Sequence, residues 1–134
     1  MKLQNASLTI PSNVDSITLI ERMVDDLSSS HCIDTELYGK VLLAVVEGVN
    51  NAVVHGNKLN PDKYVTVKYS IDKEFITFSI IDQGDGFDFS KVPDPTSSEN
   101  IEKPHGRGIF LMNHLADEIE FYQNGSHIKM FFKL

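Results

Sequence analysis

Glu47, Asn51 and His55 are spaced four residues apart in a stretch whose apolar residues recur with helical period. An acid, an amide and an imidazole therefore share one edge of a helix. Downstream, Asp82-Gln83-Gly84-Asp85-Gly86 ends a strand-like run. Asp82 can accept a hydrogen bond from a ligand, and the glycines permit positive φ and a close approach of the backbone to something flat or charged. Further on, Gly106-Arg107-Gly108-Ile109 lies where a loop becomes a helix. Unpaired N–H groups and the helix dipole favour an anion at such a place. Each station has a plain structural explanation: a solvated helix edge, a tight turn, a surface arginine. Their coincidence with element faces and boundaries points to one site.

Other chemistries find little support. The chain has no Gly-x-x-x-x-Gly-Lys-Ser/Thr loop, no zinc-ligand spacing, no Gly-x-Ser-x-Gly elbow and no signature set of eukaryotic-type protein kinases. His55, His105, His114 and Asp117 are too scattered in sequence to suggest a metal cluster. Cys32 is the single cysteine, so no intramolecular disulfide can form, and it reads as a small buried or half-buried hydrophobe.

The elements that must carry these residues follow from periodicity. Residues 3–10 alternate loosely and Pro11 closes them, as an edge strand would. Ser12-Asn13-Val14-Asp15 has capping-box spacing, and Val14, Ile17, Ile20, Val24 and Leu27 would form the buried side of a first helix that ends at Ser28-Ser29-Ser30-His31. Asp34 is the expected N-cap of the long central helix. Leu42, Val45, Val46, Val49 and Val53 draw its core stripe, and Gly56 is its expected left-handed stop. Alternation over Val65–Ile71 and Ile76–Ile80 predicts two strands joined at Asp72-Lys73. Residues 87–105, rich in Pro, Ser and Thr, form a long loop. A short helix over 109–115 and a hairpin turning at Asn124-Gly125, with Ile128, Met130, Phe132 and Leu134 facing one way, complete the chain. This order implies an α+β fold: a two-layer sandwich with a mixed, mostly antiparallel sheet covered on one face by helices.

A chain of 134 residues fits one domain, 1–134, with no repeat or linker. Its net charge of −7 argues against nucleic-acid binding through a basic surface. No apolar run approaches the ~20 residues needed to span a bilayer, and no signal-peptide pattern opens the chain. The expectation is a cytoplasmic protein with no membrane partner.

Glu47-Gly48-Val49-Asn50-Asn51-Ala52, Asp82-x-Gly84-x-Gly86 and Gly106-Arg107-Gly108-Ile109-Phe110-Leu111, in this order, resemble the N, G1 and G2 boxes of the GHKL (Bergerat-fold) ATPases. Within that superfamily the chain resembles the bacterial anti-sigma-factor serine/threonine kinases, and the likeness covers almost all of it, Asp117-Glu118-Ile119-Glu120-Phe121 included. Gly48 departs from the alanine of many relatives, at about 1 kcal/mol of helix propensity. The resemblance implies ATP and Mg²⁺, with the Asn51 side-chain oxygen on the metal and Asp82 accepting the adenine amino group. The implied nucleotide contacts are Asn51, His55, Asp82, Gly84, Gly86, His105, Gly106, Arg107, Gly108 and Ile109, under a lid at 87–105. Glu47 would orient or deprotonate the attacking hydroxyl, a task that positioning can largely accomplish.

The implied function is that of an anti-sigma factor and protein serine/threonine kinase. It would phosphorylate a STAS-type anti-sigma-factor antagonist and sequester a sigma factor, with Arg22 on the first helix near a docking face and a second copy of the chain as a further partner. Two alternatives stand beside it. One is a module that binds ATP or ADP without transferring phosphate. The other is the catalytic domain of a histidine kinase, disfavoured because no upstream helical hairpin carries an acceptor histidine and His31 falls in an expected inter-helix loop.

Overall fold

Alternation decides which way each strand faces. In the computed structural model, which describes residues 4–85 and 104–134, the first strand β1 (Gln4–Pro11) pairs antiparallel with β2 (Tyr64–Ile71), and β2 with β3 (Phe75–Ile81). The C-terminal hairpin is β4 (Glu118–Tyr122) and β5 (His127–Lys133), and β5 inserts between β3 and β4. The order is β1-β2-β3-β5-β4, and every pairing among the described residues is antiparallel, in line with the mostly antiparallel sheet expected. Cross-strand rows such as Leu8, Val67, Ile80 and Ile128 stack on one face. The opposite face carries Ser7, Lys68, Ser79 and Lys129 in register. Phe78, Phe132, Ile76 and Met130 are fully buried under the helices, each such side chain contributing about 1.5–3 kcal/mol.

The helix layer consists of α1 (Ile17–His31), α2 (Thr35–Asn51) and α3 (Pro104–Leu115). Asn13, not Ser12, caps the start of the first helical segment: its Oδ1 accepts from the Asp15 N–H at 2.7 Å, over a 3₁₀ turn, Val14–Ser16, that precedes α1. Ser12 is buried and bonded to the main chain of Lys63 instead. Val14 is consequently exposed, and the buried side of α1 is Ile20, Val24 and Leu27. The serine run does not break α1. The helix continues through His31 and stops at Cys32, whose left-handed φ of 53° places it at the surface and not in the core. His31 is thus helical, not part of a loop. Asp34 caps α2 as expected, its Oδ1 accepting from the Leu37 N–H at 2.8 Å.

The buried stripe of α2 is rotated from the predicted one: Val41, Ala44, Val45, Gly48 and Val49 are buried, while Leu42 and Val46 are only half-buried. Gly48 explains the rotation. A β-carbon there would lie 2.4 Å from Ile80 Cδ1 and 3.2 Å from Met112 Sδ, so its absence lets sheet and α3 close on α2. The sequence reading counted only the propensity lost at Gly48. The helix from Thr35 to Gly56 spans 22 residues, and one of its 18-residue windows reaches a mean hydropathy of 1.3, long and apolar enough to cross a membrane by length and composition alone. Its apolar stripe is part of the hydrophobic core.

Candidate functional site

Asn51 is 4% exposed, and its Oδ1 has no hydrogen-bond partner among the described residues. The reading of this helix edge as a solvated face therefore fails. Burying a polar oxygen without a partner costs about 1–3 kcal/mol, so such an atom calls for a reason. Directly after Asn51 the helix widens into a π turn, Ala52–Gly56, closed by the Asn57 N–H on the Ala52 carbonyl at 2.8 Å. The chain then leaves through Lys58 and Leu59, both with left-handed φ, while Gly56 itself needs no positive φ and is not the left-handed stop expected of it. π turns of this kind are frequent at functional sites.

One turn before Asn51, Glu47 is half-buried and meets α3. A β-carbon on Gly108 would lie 3.4 Å from Glu47 Oε2, so the first turns of α3 run beside the acidic end of the α2 edge. Pro104 opens α3, a position where its missing N–H costs nothing. Gly106-Arg107-Gly108 consequently lies inside the first turns of the helix, where the sequence suggested the loop junction.

The other end of the edge meets the loop after β3. Gly56 packs against the Asp82 carboxylate: a β-carbon there would lie 2.4 Å from Oδ2. Asp82 is bonded through its own N–H to the Ser126 carbonyl at 2.9 Å, and its Oδ1 accepts from the Gly84 N–H at 2.8 Å. Desolvation pushes the Asp82 carboxyl above the usual carboxylate range, against the opposing pull of the Gly84 N–H and Lys63. Beside it, Asn57 is 1% exposed. Its Oδ1 accepts from the Gln83 N–H at 2.7 Å, and its Nδ2 donates to Ser12 Oγ at 2.7 Å and the Tyr64 carbonyl at 3.0 Å.

The two glycine stations thus meet one rod at opposite ends. Glu47 and Gly56 are separated by on the order of 12 Å along the helix, with the buried Asn51 oxygen between them. Of the other sequence-selected residues, His55 is half-buried and desolvation lowers its pKa. Arg107 is exposed, and Gly108 and Ile109 are buried. Ile109 is a core side chain. Gly86 and the lid at 87–103 lie outside the described residues, as do the side chains of 104–106, His105 among them. Among the described residues no group of three or more His, Cys, Asp and Glu side chains could hold a metal ion.

Residues 10–132 match the histidine kinase-like ATPase domain family. The chain belongs to that family. Among proteins similar to this ATPase domain are the enzymes named serine-protein kinase RsbW in Staphylococcus aureus strains MSSA476 and MW2, each 29% identical over 131 residues covering 92% of this chain and 82% of the relative. RsbW of strain JH9 is similar at the same identity and coverage. An ATPase domain of this family implies ATP as ligand.

Sequence reasoning missed that Gly56, Asn57 and Ser12 hold the segment around Asp82. Gly56-Asn57 reads locally as a helix terminator, and the only available signal was that a polar amide follows the glycine directly.

Proposed function

We propose that this chain, acting as one unit over residues 1–134, is an ATP-dependent protein serine/threonine kinase and anti-sigma factor that phosphorylates a STAS-type antagonist and sequesters a sigma factor. The observation that carries the reading is the buried Asn51 oxygen, without a partner among the described residues, between the Gly108 contact at Glu47 and the Asp82 contact at Gly56. An amide oxygen is a hard donor, and a hard divalent cation is the partner it suits. Asn51 would hold Mg²⁺ with the nucleotide. When bound, Mg²⁺ supplies charge neutralisation at the phosphates.

The chain's own groups do the rest. Asp82, held by Ser126 and Gly84, accepts the adenine amino group. The first turn of α3, where the Gly106 N–H has no acceptor within the helix, would face the phosphates. Glu47, beside Gly108, accepts the proton of the attacking hydroxyl as the new P–O bond forms and ADP leaves. The relatives named serine-protein kinase support a hydroxyl as the acceptor.

The test is incubation of the full chain with γ-labelled ATP and candidate antagonist domains. Label should move to the antagonist in an acid-stable form. Glu47→Gln should keep ATP affinity within about twofold and lose transfer by about a hundredfold or more. Label that remains in ATP while a complex forms would reduce the protein to a nucleotide-binding module, and an acid-labile product would make it a histidine kinase domain.

A further inference from the structure

We infer that Asn57, together with Gly56, is the positioning corner for the Asp82 carboxylate, so that recognition of a nucleobase amino group depends on a side chain that does not itself touch the base. The inference rests on the reading of Asp82 as the group that accepts the amino group.

Both donors and the oxygen of the Asn57 amide are engaged. Its oxygen takes the N–H of Gln83, the residue immediately after Asp82, and its nitrogen reaches Ser12 Oγ and the Tyr64 carbonyl. Ser12 Oγ in turn donates to the Lys63 carbonyl at 2.7 Å. The Gln83 side chain returns to the same segment, its Oε1 accepting from the Tyr64 N–H at 2.6 Å. One buried amide therefore ties the Asp82 loop to the end of β1, the start of β2 and the end of the central helix. Such a fully satisfied network specifies one arrangement of the groups it joins.

Gly56 completes the corner by shape. Its α-carbon is so near the Asp82 carboxylate that any side chain would displace Oδ1 and Oδ2 alike, and its carbonyl oxygen would be 2.0 Å from a β-carbon on Gly84. The carboxylate is thus bounded by Gly56 on one side, held by the Gly84 N–H on another, and anchored through its own main chain to Ser126. A carboxylate set in this way has little freedom to follow a ligand. Its selectivity comes from being fixed before the ligand arrives.

A merely stabilising Asn57 would change affinity for all nucleotides alike. A positioning Asn57 changes the ratio between nucleotides with and without the 6-amino group. The experiment measures binding of ATP and of purine riboside 5′-triphosphate, which lacks that amino group, to the full chain with Mg²⁺ by calorimetry. The unaltered protein should prefer ATP by about tenfold or more, and Asp82→Ala should abolish the preference. Asn57→Ala and Gly56→Ala should each cut the preference at least about threefold while leaving affinity for purine riboside triphosphate within about twofold. If Asn57→Ala fails to fold, Ser12→Ala, which releases the amide at its far end, takes its place with the same expectation. Preference unchanged in these variants but lost in Asp82→Ala overturns the inference and leaves the Asp82 reading standing. An unaltered protein with no preference, or one retained by Asp82→Ala, overturns the base reading and the inference with it.

Discussion

Gly84 abuts the main chain of Gly56: a β-carbon on Gly84 would lie 2.0 Å from the Gly56 carbonyl oxygen and 2.6 Å from its carbon. Backbone meets backbone there, with no flexible side chain to yield. The loop carrying Asp82 and the end of the central helix are in effect one structural unit.

Gly84→Ala should therefore force the loop off the helix. The expected cost is about 1–3 kcal/mol of stability, as for other overpacked contacts, read by urea denaturation. ATP affinity should fall by about tenfold or more, since the Gly84 N–H that orients Asp82 moves with the loop. Wild-type affinity in a destabilised variant would show that this close approach serves the fold alone.

Asn51→Ala separates ligand binding from folding in the opposite sense. The Asn51 oxygen is buried without a partner among the described residues, so truncation removes an unmet desolvation cost while leaving a small cavity. These effects oppose each other, and stability should change by less than about 1 kcal/mol. Mg²⁺-dependent ATP binding should fall by about a hundredfold, whereas any metal-independent binding in EDTA should be unchanged. Calorimetry with and without Mg²⁺ checks both halves. A large loss of stability would mark Asn51 as a structural residue.

Asp82 makes stability depend on pH in a defined direction. Its carboxyl is raised above its ordinary value of 3.8, chiefly by desolvation, so between that value and the folded one the native state binds more protons than the unfolded chain. Stability attributable to Asp82 is full below pH 3.8 and declines as pH rises through the folded pKa. Asp82→Asn keeps an acceptor for the Gly84 N–H and removes the charge. At pH 7 the variant should melt no lower than the unaltered protein while losing selectivity for ATP. A lower melting temperature would mean that the ionised carboxylate stabilises the fold.

His55 and His127 act in the acid limb. Desolvation lowers both, with Lys129 and Lys68 adding to the effect at His127, where a buried Nε2 has no partner among the described residues. For a histidine held below 6.5 the unfolded chain binds the extra proton first, so stability falls as pH drops from 6.5 through the folded pKa. Urea midpoints at pH 7.5 and at lower pH should show this decline, and His127→Gln should flatten part of it. An unchanged slope in His127→Gln would remove His127 from the effect.

Much of the fold was legible because its signals are local. Strand alternation at Val65, Val67, Ile76, Phe78 and Ile80 and the Asp34 cap each depend on neighbours in sequence. The failures share a different origin. Ser12 was read as a cap, but the Lys63 carbonyl and Asn57 compete for its hydroxyl from distant parts of the chain. The α2 stripe is right at Val45, Val49 and Val53 and turned slightly at Leu42 and Val46, because periodicity cannot tell that Gly48 admits Ile80 and Met112. Cys32 was placed inside by residue type, whereas the left-handed end of α1 turns it out to solvent.

The identities and order of Glu47, Asn51, Asp82, Gly84 and Gly108, the helical period of the central rod and the antiparallel alternation of the strands were determined by the sequence alone, since short-range sterics and hydrophobic periodicity decide them. Only the tertiary structure decided that Gly108 meets Glu47 at one end of that rod and Asp82 meets Gly56 at the other, with Asn51 buried between them. The reason is that these contacts join α2 to α3 and to the loop after β3, segments that sequence separates and that only close packing against a shared core brings within reach.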